Sequence, residues 1–425
     1  MEQSQNLPVQ GHVRNKSSSA RSSRPRSSTK GPLDIDDPRL SSDRSRHQSP
    51  RSPAPPGRSP LAPPRDFAYL LKPEIYHPLN AAQTIPASFR SSAQQPPPGT
   101  PIPDLLAQGH FRAAAIAAVH ALTGTGPEGE GGGHAPAPTD HARIFDLLYT
   151  RLSCLTLIDA TQTAAQEARA LEDINSALYT DEISGLHLMP WDLRLLVVRL
   201  QAMGFGDPRR AVMSYYDMAR EARGRIAEAM AVHDNSASEM WKARLSELGI
   251  KVAGALVEMD DLPGAAAQLA SLRDRGDGKS AMSKALLWLQ LGDTDAARRC
   301  VRQGEAGDKT ISALCDMADG DYEAALTVWR GLAAEEEGET AGDEMVAINL
   351  AVCLLYTGKM EEGRVVLEGL IESGYSSHTL LFNIATIYEL CTDRSRSLKA
   401  KLAEKMAGME ATTRGWEKSN ADFKL

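Results

Sequence analysis

The chain has 425 residues, of which 42% are hydrophobic and only 5% aromatic, and its net charge is −8. That length holds one large or two ordinary domains, and the scarcity of aromatics beside abundant Ala and Leu suits helices packed through small contacts. Charge is uneven: residues 1–65 carry 12 Lys/Arg against 5 Asp/Glu, and the rest carries 35 against 50, so the acidic body argues against a nucleic-acid-binding surface there.

Residues 1–100 read as a head and linker. Residues 1–64 are rich in Ser, Arg and Pro and poor in bulky apolar side chains. Such a segment cannot bury enough surface to offset the entropy of ordering, so disorder is expected. Ser49, Ser52 and Ser59 each precede a proline, which suggests a phosphorylatable tail. The other reading is a basic tether for RNA or an anionic membrane, whose charge phosphates would cancel. No apolar leader and no apolar run near the ~20 residues of a membrane span are present, so an intracellular, soluble protein is expected. An apolar island at 67–79 (Phe67 to Leu71, then Ile75 to Leu79) interrupts the Pro-rich tracts. Docking as a strap on the helical body is favoured over a free motif for a partner.

Residues 101–425 carry helical periodicity almost without a break. The clearest stretch is Gly320-Asp321-Tyr322 followed by Ala325 and Trp329. Gly320 can end one helix in a left-handed conformation, and Asp321 can cap the next. Tyr322, Ala325 and Trp329 then share one helical face. A small residue at the crossing and a large one four further on describe the second helix of a tetratricopeptide-type repeat. The same junction recurs as Gly292 with Ala297, Gly358 with Gly363, and Asp260 with Ala265, and upstream at Gly109, Ala160 and Gly206. A degenerate copy starts at Thr392. Positions 260, 292, 320, 358 and 392 are spaced by 32, 28, 38 and 34, around the repeat norm of about 34. Longer upstream spacings demand extended helices or loops. The expected fold is all-α, a tetratricopeptide-like helical-repeat solenoid with a disordered N-terminal head, its best-formed repeats spanning 246–402. Gly292, Ala297, Gly320, Tyr322, Ala325, Trp329 and Gly358 are its packing residues.

Motifs for chemistry are lacking. Gly278-Lys279-Ser280 ends like a phosphate-binding loop, but Arg273 stands where that motif needs Gly and a helix, not a strand, precedes it. The histidines form no zinc-protease pattern. Asp316, Asp319 and Asp321 read as solvated caps around Gly320. The five cysteines are far apart and read as small core residues. Trp191, Trp241, Trp288 and Trp329 fall on apolar helical faces and read as core, whereas Trp416 follows the last good helix and reads as a partner contact. No cofactor, metal or catalytic residue is expected, and the chain does not read as an enzyme.

Asn349-Leu350-Ala351-Val352-Cys353-Leu354-Leu355-Tyr356-Thr357-Gly358-Lys359 resembles the penultimate repeat of the TRAPP complex subunit 12 family, whose members belong to the trafficking protein particle. Leu381 to Leu390 with Ser395-Arg396-Ser397, and the closing Phe423-Lys424-Leu425, are similar to that family's tail. Met189 to Arg194 and Met240 to Leu245 resemble its linking helices. The resemblance covers about residues 100–425. It implies a non-catalytic scaffold subunit of a TRAPPIII-type tether in endoplasmic reticulum-to-Golgi transport and autophagy. Its partners would be other TRAPP subunits and, indirectly, a Rab-type GTPase and Golgi or vesicle membranes, from a cytoplasmic position peripheral to those membranes. Asn349, Tyr356, Asn383, Tyr388 and Trp416 are the candidate partner-binding residues. The alternative is a free-standing, co-chaperone-like repeat adaptor that captures acidic peptides, which needs a cluster of Lys, Arg and Asn on successive first helices. Only Lys284 and Asn349 are offered there.

Overall fold

The computed structural model describes residues 65–79, 95–126, 134–273, 278–301, 306–335 and 344–410. Among these residues the regular structure is sixteen α-helices, short 3-10 turns and one isolated antiparallel bridge, Thr180 with His187. The helices are α1 (Ile102–Gln108), α2 (Phe111–Thr123), α3 (His141–Leu157), α4 (Thr161–Ala168), α5 (Trp191–Phe205), α6 (Pro208–Ala231), α7 (Asn235–Glu258) and α8 (Leu262–Ser271). They continue as α9 (Gly278–Gln290), α10 (Thr294–Cys300), α11 (Ala306–Asp319), α12 (Tyr322–Glu335), α13 (Glu344–Tyr356), α14 (Met360–Glu372), α15 (His378–Cys391) and α16 (Ser395–Ala407). Consecutive helices pack on one another, which makes the fold an all-α solenoid of tetratricopeptide-like pairs. The Arg/Ser-rich head lies outside the described residues.

One turn chemistry joins most of these helices. At Gly320, φ is +83°, and the Asp321 N–H donates back to the Asp316 carbonyl at 2.8 Å. Gly292 and Gly358 repeat it, with Asp293 donating to the Trp288 carbonyl and Lys359 to that of Leu354. These bonds satisfy carbonyls that a helix end otherwise leaves free. The next helix then starts on a side-chain cap. Asp234, Asp261, Asp293 and Asp321 accept from the N–H groups of Ala237, Gly264, Ala296 and Ala324. Asp159, His233 and Asp260 adopt the same left-handed conformation without glycine, at φ of 58–62°. His233 and Asp234 therefore join α6 to α7, a junction that no glycine marks. Together those two 24-residue helices account for the long interval between Gly206 and Asp260. The copy at Thr392 differs, because Thr392 is extended at φ −156° and no left-handed residue is used.

Small residues set the helix crossings. Ala265, Ala297 and Ala325 have no exposed surface. In the following pair the same position is Gly363, where a Cβ would stand 3.1 Å from the Ala351 carbonyl oxygen. Beside Ala325, the fully buried Trp329 fills the space towards α13, and its Nε1–H points at the Met317 sulfur 3.4 Å away. Fully burying one such side chain contributes about 1.5–3 kcal/mol. Asp316 and Asp319 are not simply solvated caps. They hold the Arg298 guanidinium of α10 at 2.6 and 3.1 Å, so they tie one helix pair to the next.

Candidate interaction surfaces

Among the described residues no cluster of three His, Cys, Asp or Glu side chains is placed to hold a metal ion. Burial raises the Cys353 thiol to about 11 and pushes that of Cys315 up as well, so both remain protonated, inert core groups at neutral pH. Gly278, Lys279 and Ser280 open α9. The Lys284 ammonium, one of the two clamp-type residues, donates to the Leu272 carbonyl at 3.0 Å.

The partner-contact candidates separate by position. On α13, Met345, Asn349, Val352 and Tyr356 follow at helical spacing, with Met345 and Tyr356 exposed. Tyr356 is 64% exposed, and its ring stacks on that of Tyr322, with centroids 4.3 Å apart and planes 4° from parallel. This places an aromatic pair across the α12 and α13 ends, one ring part-buried and the other open. Asn349 and Asn383 each donate from Nδ2 to a carbonyl four residues back, those of Met345 and Thr379. Their oxygens stay available as acceptors. Phe382 and Leu390, on α15, are exposed apolar side chains that the sequence did not single out. Tyr388 lies inside, 6% exposed, with its hydroxyl 3.1 Å from Glu368 on α14, so it joins two helices. Trp416 lies outside the described residues.

A second surface joins two segments 50 residues apart. Trp191 opens α5 and Trp241 lies on α7, and their rings meet edge to face at 5.6 Å. The Arg244 guanidinium lies over both, 5.0 Å from one ring centre and 4.6 Å from the other. Arg194, buried beneath, lies over Trp191 and is held by Glu221 at 2.6 Å. Half-buried Trp241 and Arg244 leave this cation–π stack at the surface rather than sealed in the core.

The third feature is the apolar island. Residues 67–79 lie against α2, α3, α4 and the turn at Ala177–Tyr179. Phe67 is fully buried, with its ring 5.0 Å from Phe145 and 5.8 Å from Tyr179. Leu70 and Tyr76 are buried too, and the Tyr76 hydroxyl donates to the Leu70 carbonyl at 2.6 Å. Arg151 of α3 and Glu167 of α4, both nearly inaccessible, pair at 2.6 and 3.0 Å. The same two side chains hold the main chain of His77: its N–H donates to Glu167 at 2.9 Å, and Arg151 donates to its carbonyl at 2.8 Å. Both side chains are used on the His77 backbone, and the His77 ring lies beside the same carboxylate, with Nδ1 4.0 Å from Glu167.

No protein-family profile matches the chain. It is similar to Trafficking protein particle complex subunit 12 of Mus musculus, 21% identical over 321 residues, and to the Homo sapiens protein of that name at the same identity and length. Each match covers 66% of this chain, but the chain spans only about two fifths of those relatives, 40% and 43%. Among solved structures, a tetratricopeptide repeat protein from Parabacteroides merdae is 15% identical and covers 61% of this chain and 92% of its own, with a TM-score of 0.35. The P58(IPK) TPR domain is 14% identical and covers 72% and 89%, with a TM-score of 0.20. Those superpositions are too loose to argue from, and the repeat assignment rests on the junction geometry. Among the described residues no helix is long and apolar enough to cross a membrane.

Proposed function

We propose that this chain is a non-catalytic, architectural subunit of a TRAPP-type tethering assembly, acting in endoplasmic reticulum-to-Golgi transport and autophagy. The observation that carries this reading is the 321-residue similarity to trafficking protein particle complex subunit 12. The helix-pair solenoid agrees with it, because stacked pairs bury their own core and leave long faces for partner segments. The α13 and α15 surface, with Asn349, Tyr356, Phe382 and Asn383, is the contact we assign to a neighbouring subunit. Exposed aromatics with amide acceptors nearby are the composition of an interface anchor. Support for Rab-type GTPase exchange by core subunits would then be indirect, through assembly. So would a cytoplasmic position at endoplasmic reticulum and Golgi membranes.

Size fractionation of a native extract tests the reading. The chain should elute with subunits of the trafficking particle at the mass of a multisubunit complex. Elution at the mass of the free chain, with those subunits elsewhere, contradicts it.

A further inference from the structure

The strap at 67–79 is held in the way a peptide ligand is held. Three side chains, Phe67, Leu70 and Tyr76, fill buried positions, while Ala68, Lys72, Pro73 and Glu74 between them and His77 and Pro78 after them are exposed. Three of the polar contacts fall on backbone. Phe67 donates its N–H to the Pro138 carbonyl at 2.8 Å, and His77 is clasped on both its N–H and its carbonyl by Glu167 and Arg151. Tyr69 adds a directional contact. The Tyr179 hydroxyl donates to the Leu171 carbonyl at 2.8 Å, so its one proton is used and Tyr69 donates to Tyr179 at 2.5 Å. Buried anchors at fixed spacing, main-chain hydrogen bonds and exposed residues between them are the elements of linear-segment recognition.

We propose that the groove formed by α2, α3, α4 and the 177–179 turn is a segment-binding site, filled in cis by residues 67–79 and able to take the same segment from a second copy of this chain. The sequence it selects is an aromatic, a Leu three residues later and a Tyr six beyond that, with the last residues held by backbone. Exchange of an identical element between protomers adds no new contact type, which is why it is a low-cost route to a dimer. Cis occupancy is favoured by tethering. A segment joined through a short linker experiences an effective concentration on the order of mM, so a free peptide at micromolar levels does not displace the intact strap.

The test uses the full chain carrying Phe67→Ala and Tyr76→Ala, and a fluorescent synthetic peptide of residues 65–79. By fluorescence anisotropy the peptide should bind the double variant at least tenfold more tightly than it binds the unaltered chain. The same peptide with Phe67→Ala should lose that binding. Circular dichroism of the double variant is measured alongside. Retained helix with no peptide binding overturns the proposal. Loss of the helical signal overturns it too, because the strap would then be an inseparable part of the core.

Discussion

Arg151 and Glu167 form a fully buried ion pair across α3 and α4, and the pair is completed by the main chain of His77. A charge pair taken out of water is tolerated only where its remaining donors and acceptors are met. Arg151 meets this with the Ala115 and His77 carbonyls besides Glu167. The N-terminal end of the solenoid and the strap are therefore linked energetically as well as by contact.

Removing one partner strands the other. Arg151→Met should destabilise the fold by about 3–5 kcal/mol, read as a shift in the urea midpoint followed by circular dichroism. Arg151→Met combined with Glu167→Leu should recover part of that loss. A single variant with an unchanged midpoint would show that the pair is not buried in solution.

The crossing at Ala325 should resist volume. Ala325→Trp overpacks a position with no exposed surface and should cost about 1–3 kcal/mol or more, seen as a lower melting temperature. An unchanged melting temperature refutes the packing described for α12.

Backbone conformation alone sets the cost at Gly320. Nothing lies within 4 Å of a Cβ placed there, yet φ is +83°. Gly320→Ala should therefore destabilise by about 1–2 kcal/mol through the left-handed conformation only, measured by denaturant titration. Asp260→Gly, at a non-glycine residue in that conformation, should not lower stability.

His187 gives a pH dependence of defined sign. Its Nδ1 accepts from the Met189 N–H at 3.0 Å, and its Nε2 lies 2.9 Å from the Ile174 carbonyl. The ring is therefore held neutral, with its proton on Nε2. Desolvation, and then the charge of Arg194, hold its pKa below the ordinary histidine value of 6.5. The unfolded chain thus binds the proton first as pH falls, so stability should decline below about pH 6.5. Melting temperature against pH should flatten over that range in His187→Asn, whose side-chain oxygen can still accept from Met189. An equal slope in both proteins would assign the dependence to other groups.

Much of the solenoid was legible because its junctions are chemically enforced. Gly292, Gly320 and Gly358 announce a left-handed turn, and Asp321 announces a cap. The junction at His233 was not legible, since a histidine in that conformation carries no turn signature. The pairing of Arg298 with Asp316 and Asp319 was hidden for a different reason. Surface carboxylates near a turn are usually caps, and only the stacking of the next helix brings the arginine to them. Arg151 and Glu167 carry no mark of burial in the sequence, because it depends on a strap more than 70 residues upstream of Arg151. At the candidate contacts, periodicity placed Tyr356 and Tyr388 alike on first helices. It did not distinguish the open ring from the enclosed one, which depends on the neighbouring helix. The Trp191 and Trp241 stack needed α5 and α7 to be brought side by side.

Tyr356 should act at a partner contact rather than in the core. Tyr356→Ala loses a stacked ring worth about 0.5–1.5 kcal/mol, so its melting temperature should fall only slightly. Truncating an aromatic anchor in an interface typically costs about 2 kcal/mol, roughly thirtyfold in affinity. Recovery of the neighbouring subunit should therefore drop sharply in this variant, with the fold intact.

Affinity capture of the full-length chain from its own cells, followed by mass spectrometry of what it retains, addresses the architectural reading most directly. The expected result is recovery of core and large subunits of the trafficking particle, in near-equal amounts and reduced by Tyr356→Ala. Recovery of chaperones alone, with no subunit of that particle, would contradict the account.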